Sequence, residues 1–190
     1  MEAAWVFNAY IVIHSLVVGI VARLKALVTG YEPFGQHKVN PSELIVERLR
    51  EAVSGELDGV ELVTAVIPVS FRRAGERLLG LLEEHRPDIA VSLGLWAGAS
   101  YVTVERVAVN IMDARIPDND GYQPVDEPIV PGGPTAYFST LPVKAIVKAL
   151  REAGIPAAVS NSAGTFLCNY AMYTLLHSGA TRGCFHLDVF

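Results

Sequence analysis

Two patterns of apolar residues alternate along this chain: short continuous runs, and faces spaced three and four residues apart. The run "LKALVTG", Leu24 to Gly30, predicts a strand covered on both faces and leads into the loop "YEPFGQHKVNPSE". A helix start follows, with Asn40 as N-cap, Pro41 at the first helical position and Glu43 three residues after the cap. Ile45, Leu49, Ala52 and Val53 then repeat at helical spacing. "GVELVTAVIPV" predicts a second strand, Arg72 to His85 a second helix, and "DIAVSLGL" a third strand.

The stretch "YVTVERVAVN" alternates clearly and predicts one strand. Tyr101, Thr103, Glu105, Val107 and Val109 share one face of it, and Arg106, Ala108 and Asn110 the other. From Ile111 to Pro134 a loop of 24 residues is rich in Pro, Gly and Asp, a length typical of lids or disordered segments. "LPVKAIVKALREAG" predicts a helix capped by Gly154. "IPAAVSNSA" is a further strand, a helix runs from about Cys168 to His177, and "TRGCFHLDVF" is a final strand. Strands and helices in alternation imply an α/β fold, a three-layer α/β/α sandwich around a mostly parallel, mixed sheet.

At 190 residues the chain has the length of one domain with a substantial core. Apolar residues make up 51% and charged residues 18%, which excludes a disordered chain. The net charge of -5 and the lack of any Lys/Arg run argue against nucleic acid as a partner. Two cysteines give no disulfide framework, so a reducing cytoplasm is the expected compartment.

Ala3 to Ala22 carries no charged side chain over 20 residues and is long enough to span a bilayer. Asn8, His14 and Ser15 interrupt it, and Glu2 is the only nearby charge before it, so neither a membrane span nor a cleaved signal fits well. Residues 1–23 therefore read as an apolar N-terminal extension, with a strand or helix packed on the domain and a membrane segment as the alternatives, and residues 24–190 as the working domain.

Three residues stand out chemically. Glu105 puts a carboxylate where valines point, and a buried carboxylate needs a partner. His186 shares a face of the final strand with Cys184 and Asp188. Cys168 sits where "NSAGTFLC" passes from strand to helix, so unpaired N–H groups and the positive helix end favour a thiolate and offer donors to an oxyanion. A cysteine filling core space is the plainer alternative for Cys168, a satisfied structural residue the plainer one for His186, and an exposed strand end where the carboxylate meets Arg106 or a loop the plainer one for Glu105. Parallel strands tend to gather such turns at one sheet edge, where Glu, Cys and His make an orienting carboxylate, a nucleophile and a base. Metal binding lacks support, because Cys184 and His186 make at most a two-ligand pair without CxxC or HExxH. "GYEPFG" is followed by no Lys-Ser/Thr, and no GxGxxG occurs, so neither a phosphate loop nor a dinucleotide site is expected.

Taken together, "LVTGYEPFG", "VNPS", "VTVERVAVN", "DARIPDNDGYQPV", "TLPV" and "SAGTFLCN" occur in an order that resembles the pyroglutamyl peptidase I (pyrrolidone carboxyl peptidase) family of cysteine peptidases. The resemblance runs from about Leu24 to His186. It implies a phosphorylase/hydrolase-like fold and a catalytic triad on Glu105, Cys168 and His186. It also implies removal of an N-terminal pyroglutamyl residue from peptides, with no cofactor and a homotetrameric assembly. The family's ring-binding positions fall on Tyr31 and Phe34, and further pocket positions on Ile116, Phe166 and Leu167.

The chain departs from the family pattern in several places. Tyr31 stands where the family usually has Phe. The interval of 18 residues from Cys168 to His186 is several residues shorter than usual, and only "LDVF" follows the histidine. The leading apolar run has no family counterpart. The domain thus reads as truncated at its C-terminus, and the alternative function is a non-catalytic or weakly active paralogue of the same fold.

Overall fold

The computed structural model describes residues 24–52, 56–57, 59–182 and 186–189. The readings of residues 1–23 and of Cys184 lie outside the described residues. Among those that are described, no helix is long and apolar enough to cross a membrane.

The central strand is β1 (Leu24–Tyr31), buried without interruption from Ala26 to Tyr31. It pairs in parallel with β3 (Val60–Ile67) on one side and β4 (Ile89–Ser92) on the other. A short β2 (Glu56–Leu57) runs antiparallel outside β3, and β9 (His186–Val189) runs parallel outside β4. The sheet order is β2-β3-β1-β4-β9. Burial on both faces is what a strand at this place requires, so its sequence shows no alternation.

Among the described residues, two helices cover each face. On one side lie α1 (Pro41–Ala52) and α3 (Val143–Glu152), where Val46, Leu49, Ile146 and Leu150 pack on Ala26 and Val28. On the other side lie α2 (Phe71–His85) and α4 (Leu167–Arg182), where Leu78, Ala171 and Leu175 pack with Leu27 and Ile67. The three-layer α/β/α reading therefore holds. Gly30 lets the start of α1 close on the sheet, since a Cβ there would collide with the Ser42 carbonyl. The expected cap of α1 is present: Asn40 Oδ1 accepts from the Ser42 backbone N–H at 3.1 Å. For α2 the cap is Ser70, whose Oγ accepts from Arg73 N, so the helix begins at Phe71, one residue earlier than expected.

The stretch read as one strand over residues 101–110 is two. β5 (Val102–Glu105) runs parallel to β8 (Ala157–Ser160) and beside β9. Arg106 then breaks the ladder: its N–H donates to Ser160 O, and its carbonyl accepts from Ser139 N. Beyond it, β6 (Val107–Val109) pairs antiparallel with β7 (Ala136–Phe138), a strand that falls inside a segment with no strand signal. The break resets the alternation, so the buried position in β6 is Ala108 and not Val107 or Val109. Glu105 is buried all the same, at 7% exposure.

The long loop is ordered by its own polar groups. Asp118 is buried and accepts from the backbone N–H groups of Phe71, Asp120 and Tyr122. It ties the loop to the first residue of α2, where free N–H groups favour a carboxylate. A bridge between Met112 and Glu127 closes the loop's base.

Candidate active site

Cys168 is the second residue of α4, at the end of the sheet where β1, β4 and β5 finish. The helix runs on to Arg182, five residues beyond His177, where the sequence pattern ended it. Its start is clamped by Asn169, which is fully buried: Oδ1 accepts from Val109 N at 2.9 Å, and Nδ2 donates to the Val109 and Ile111 carbonyls. The preceding turn is tied to the long loop, where Thr165 Oγ1 donates to Asp113 O and Thr165 O accepts from Asp113 N. Sequence reading passed over Asn169, although an asparagine inside an otherwise apolar helix face is the signal of a polar group with buried partners.

The thiol lies against Gly94, two residues past the end of β4. A Cβ at that position would stand 2.6 Å from Cys168 Sγ, so only glycine leaves the sulfur its place. Gly94→Ala is therefore expected to lower kcat/KM by about 100-fold through displacement of the sulfur by a fraction of an ångström or more. Steady-state kinetics alongside thermal unfolding checks this, because the loss should come without a matching fall in Tm.

Glu105 ends β5 on the same face of the sheet as the thiol. Val104 packs toward α1 and α3, so alternation turns Glu105 toward α4. Its Oε2 is buried and meets no hydrogen-bond partner among the described residues. Such an oxygen costs free energy unless something donates to it, so this position calls for a donor.

The electrostatics correct one expectation. A helix-start thiol was expected to favour the thiolate, yet burial, with the Glu105 charge added, pushes the Cys168 thiol up to about 11. Its own backbone N–H pulls the other way, but less strongly. The residue keeps part of its surface open while the sulfur itself is densely surrounded. At neutral pH the thiol by itself holds its proton, and a nucleophile there needs a base.

The five positions expected around a substrate ring divide into two groups. Phe34 and Phe166 are partly buried, with ring centroids 6.1 Å apart, and Ile116, 44% exposed, reaches the loop beside Gly35. These three leave apolar surface at that loop. Tyr31 and Leu167 lie behind it in the core, at 3% and 2% exposure, and the Tyr31 hydroxyl donates to the Leu167 carbonyl at 2.8 Å.

His186 opens β9 opposite Ile89, three register positions before Ser92. At about 3.3 Å per residue, that sets its backbone roughly 10 Å back from the Ser92 level. The described register thus brings Glu105 and Cys168 to one face at one end of the sheet and leaves the His186 backbone at the other end of β4. The short connection from Arg182 to His186 accounts for this, because α4 returns the chain to the starting edge of the strands.

A cleft of about 440 Å³ beside the start of α2 is lined by Ser70, Arg72, Arg73, Asp118, Asp120 and Tyr122. Arg73 and Ser70 both bond to Asp120 there, so its charged groups satisfy one another.

Comparison with known proteins agrees with this architecture. Pyrrolidone-carboxylate peptidase of Thermococcus onnurineus is 54% identical over 160 residues, 84% of this chain and 78% of that protein. The crystal structure of Bacillus amyloliquefaciens pyroglutamyl peptidase I superposes with a TM-score of 0.81 at 41% identity, covering 87% of this chain and 80% of that one. Pyrrolidone carboxyl peptidase of Pyrococcus furiosus superposes with a TM-score of 0.80 at 51% identity, covering 88% and 81%. The family profile described as pyroglutamyl peptidase matches residues 24–189, and the chain belongs to the pyroglutamyl peptidase family.

Proposed function

We propose that Cys168 is the nucleophile, His186 the base and Glu105 the orienting carboxylate with which this peptidase releases an N-terminal pyroglutamyl residue from peptides. The observation that carries the reading is the buried Glu105 Oε2, lacking a partner among the described residues, on the face of a raised thiol. An imidazole between the two answers both needs: it donates to the carboxylate and takes the thiol proton.

The chemistry then runs in two halves. Cys168 Sγ attacks the pyroglutamyl carbonyl while His186 takes the thiol proton, and first-turn N–H groups of α4 receive the oxyanion. The tetrahedral adduct collapses, the C–N bond breaks, and His186 returns the proton to the leaving amine. Water, deprotonated by the same imidazole, hydrolyses the thioester and frees the thiol. Glu105 holds the imidazole tautomer and stabilises its charged form. The neutral lactam, without a free amine, suits the apolar surface of Phe34, Phe166 and Ile116.

Release of a fluorophore from a pyroglutamyl amide, blocked by iodoacetamide, tests the reading, and a glutamyl amide serves as the control. A folded protein that shows no release between pH 5 and 10, or releases both alike, overturns it. A homotetramer in the cytoplasm completes the proposal from the family resemblance, and sedimentation of the full chain checks the assembly.

The β9 register favours a second reading, a weakly active member of the same fold. Advancing β9 by three positions sets the His186 backbone opposite Ser92, at the end of β4 near which Cys168 lies. Inserting roughly three residues after Arg182 supplies that reach and is expected to raise kcat several-fold. An insertion that lowers kcat, measured with the same amide, would show that the native connection already positions the base.

A further inference from the structure

We infer that the Tyr31 hydroxyl is a positioning group for the nucleophile, acting through the peptide bond between Leu167 and Cys168; this rests on the reading of Cys168 as nucleophile. The resemblance gave Tyr31 a place against the substrate ring. The structure buries it instead and sends its hydroxyl proton to the Leu167 carbonyl at 2.8 Å. That carbonyl and the Cys168 N–H belong to one peptide unit. A donor on the oxygen polarises the unit, which strengthens the N–H as a donor toward the neighbouring sulfur and toward an oxyanion. A phenylalanine would fill the same volume and supply no such donor.

The ring is held from its other end. Tyr31 N donates to Ser42 Oγ at 2.9 Å, Ser42 Oγ donates to Asn40 Oδ1 at 2.8 Å, and Asn40 Nδ2 donates to Glu32 O. Asn40 and Ser42 are both buried. A continuous buried chain therefore joins the cap of α1 to the first residue of α4, crossing the end of β1. Ser92 lies beside the phenol in the same layer, and the hydroxyl proton goes to the Leu167 carbonyl.

Tyr31→Phe keeps the packing and removes the donor. Its kcat is expected to fall about 3- to 10-fold, the worth of one hydrogen bond, with KM within twofold of the parent. The pH profile of Cys168 alkylation should move to higher pH, because a weaker N–H donor stabilises the thiolate less. Loss of a merely structural bond lowers Tm without moving that profile. An unchanged kcat and alkylation profile, or a change confined to KM, overturns the tether in an enzyme that iodoacetamide still inactivates. Activity indifferent to iodoacetamide overturns the nucleophile reading and the tether with it. Should Tyr31→Phe fail to accumulate, Ser42→Ala releases the Tyr31 backbone and leaves the phenol in place. It is expected to move kcat and the profile the same way by a smaller factor, and no movement in either counts against the chain of bonds.

Discussion

Cys168→Ser is expected to lower turnover of a pyroglutamyl amide by at least about 1,000-fold, while Cys184→Ser leaves most of it. A hydroxyl in the same place is a far poorer nucleophile with a far higher pKa, and removing a covalent catalyst removes the pathway and not merely one contact. The fold should survive, since serine is slightly smaller than cysteine and α4 is held by Asn169 and its apolar face. Mass-mapped alkylation at neutral pH gives the independent readout, with label on Cys168 paralleling loss of activity. An essential, preferentially labelled Cys184 would move the nucleophile to β9's approach and undo the assignment.

His186→Ala is expected to cost about 100- to 10,000-fold in kcat, the range of general acid–base catalysis. The pH dependence carries more information than the size of the loss. With the imidazole gone, the Cys168 thiol keeps the environment that pushes it up to about 11, so its thiolate fraction at pH 7 falls to about one in ten thousand. Alkylation of the variant should therefore rise through the alkaline range, whereas the parent, where the proposed triad sets an imidazolium beside the sulfur, should react near neutrality. Adding Glu105→Gln reverses sign between the two backgrounds. In the parent it removes the group that orients the base and lowers activity. In His186→Ala it removes a negative charge that raises the thiol pKa, so alkylation becomes faster at a given pH. Identical alkylation profiles in the parent and in His186→Ala would mean that His186 never meets the thiol.

Much of the site was legible because its chemistry sits on local signals. The turn "GTFLC" into an apolar helix places a thiol at a helix start whatever surrounds it, and a glutamate among alternating valines marks a carboxylate that must find a partner. The caps were legible for the same reason: Asn40 and Pro41 dictate a helix start within a few residues, and the structure closes that cap as read. The continuous apolar runs of β1 and β4 announced a sheet covered on both faces, and the alternation of elements announced three layers.

Tertiary structure decided the rest, and each case has a physical cause. The alternation over residues 101–110 could not show the break at Arg106, because the break is set by two backbone bonds to Ser160 and Ser139, far along the chain. The ionisation of Cys168 reversed expectation because desolvation and a carboxylate brought in by β5 outweigh the local helix-end field. Tyr31 became a core residue because the carbonyl 136 positions away meets its hydroxyl. The register of β9 depends on how far α4 carries the chain back before the strand begins. Sequence by itself determined which residues carry reactive groups and which segments bury their faces, since both follow from side-chain chemistry and local periodicity. Only the tertiary structure determined which of those groups share one face and at what protonation, since distance, burial and register are properties of segments that meet across the fold.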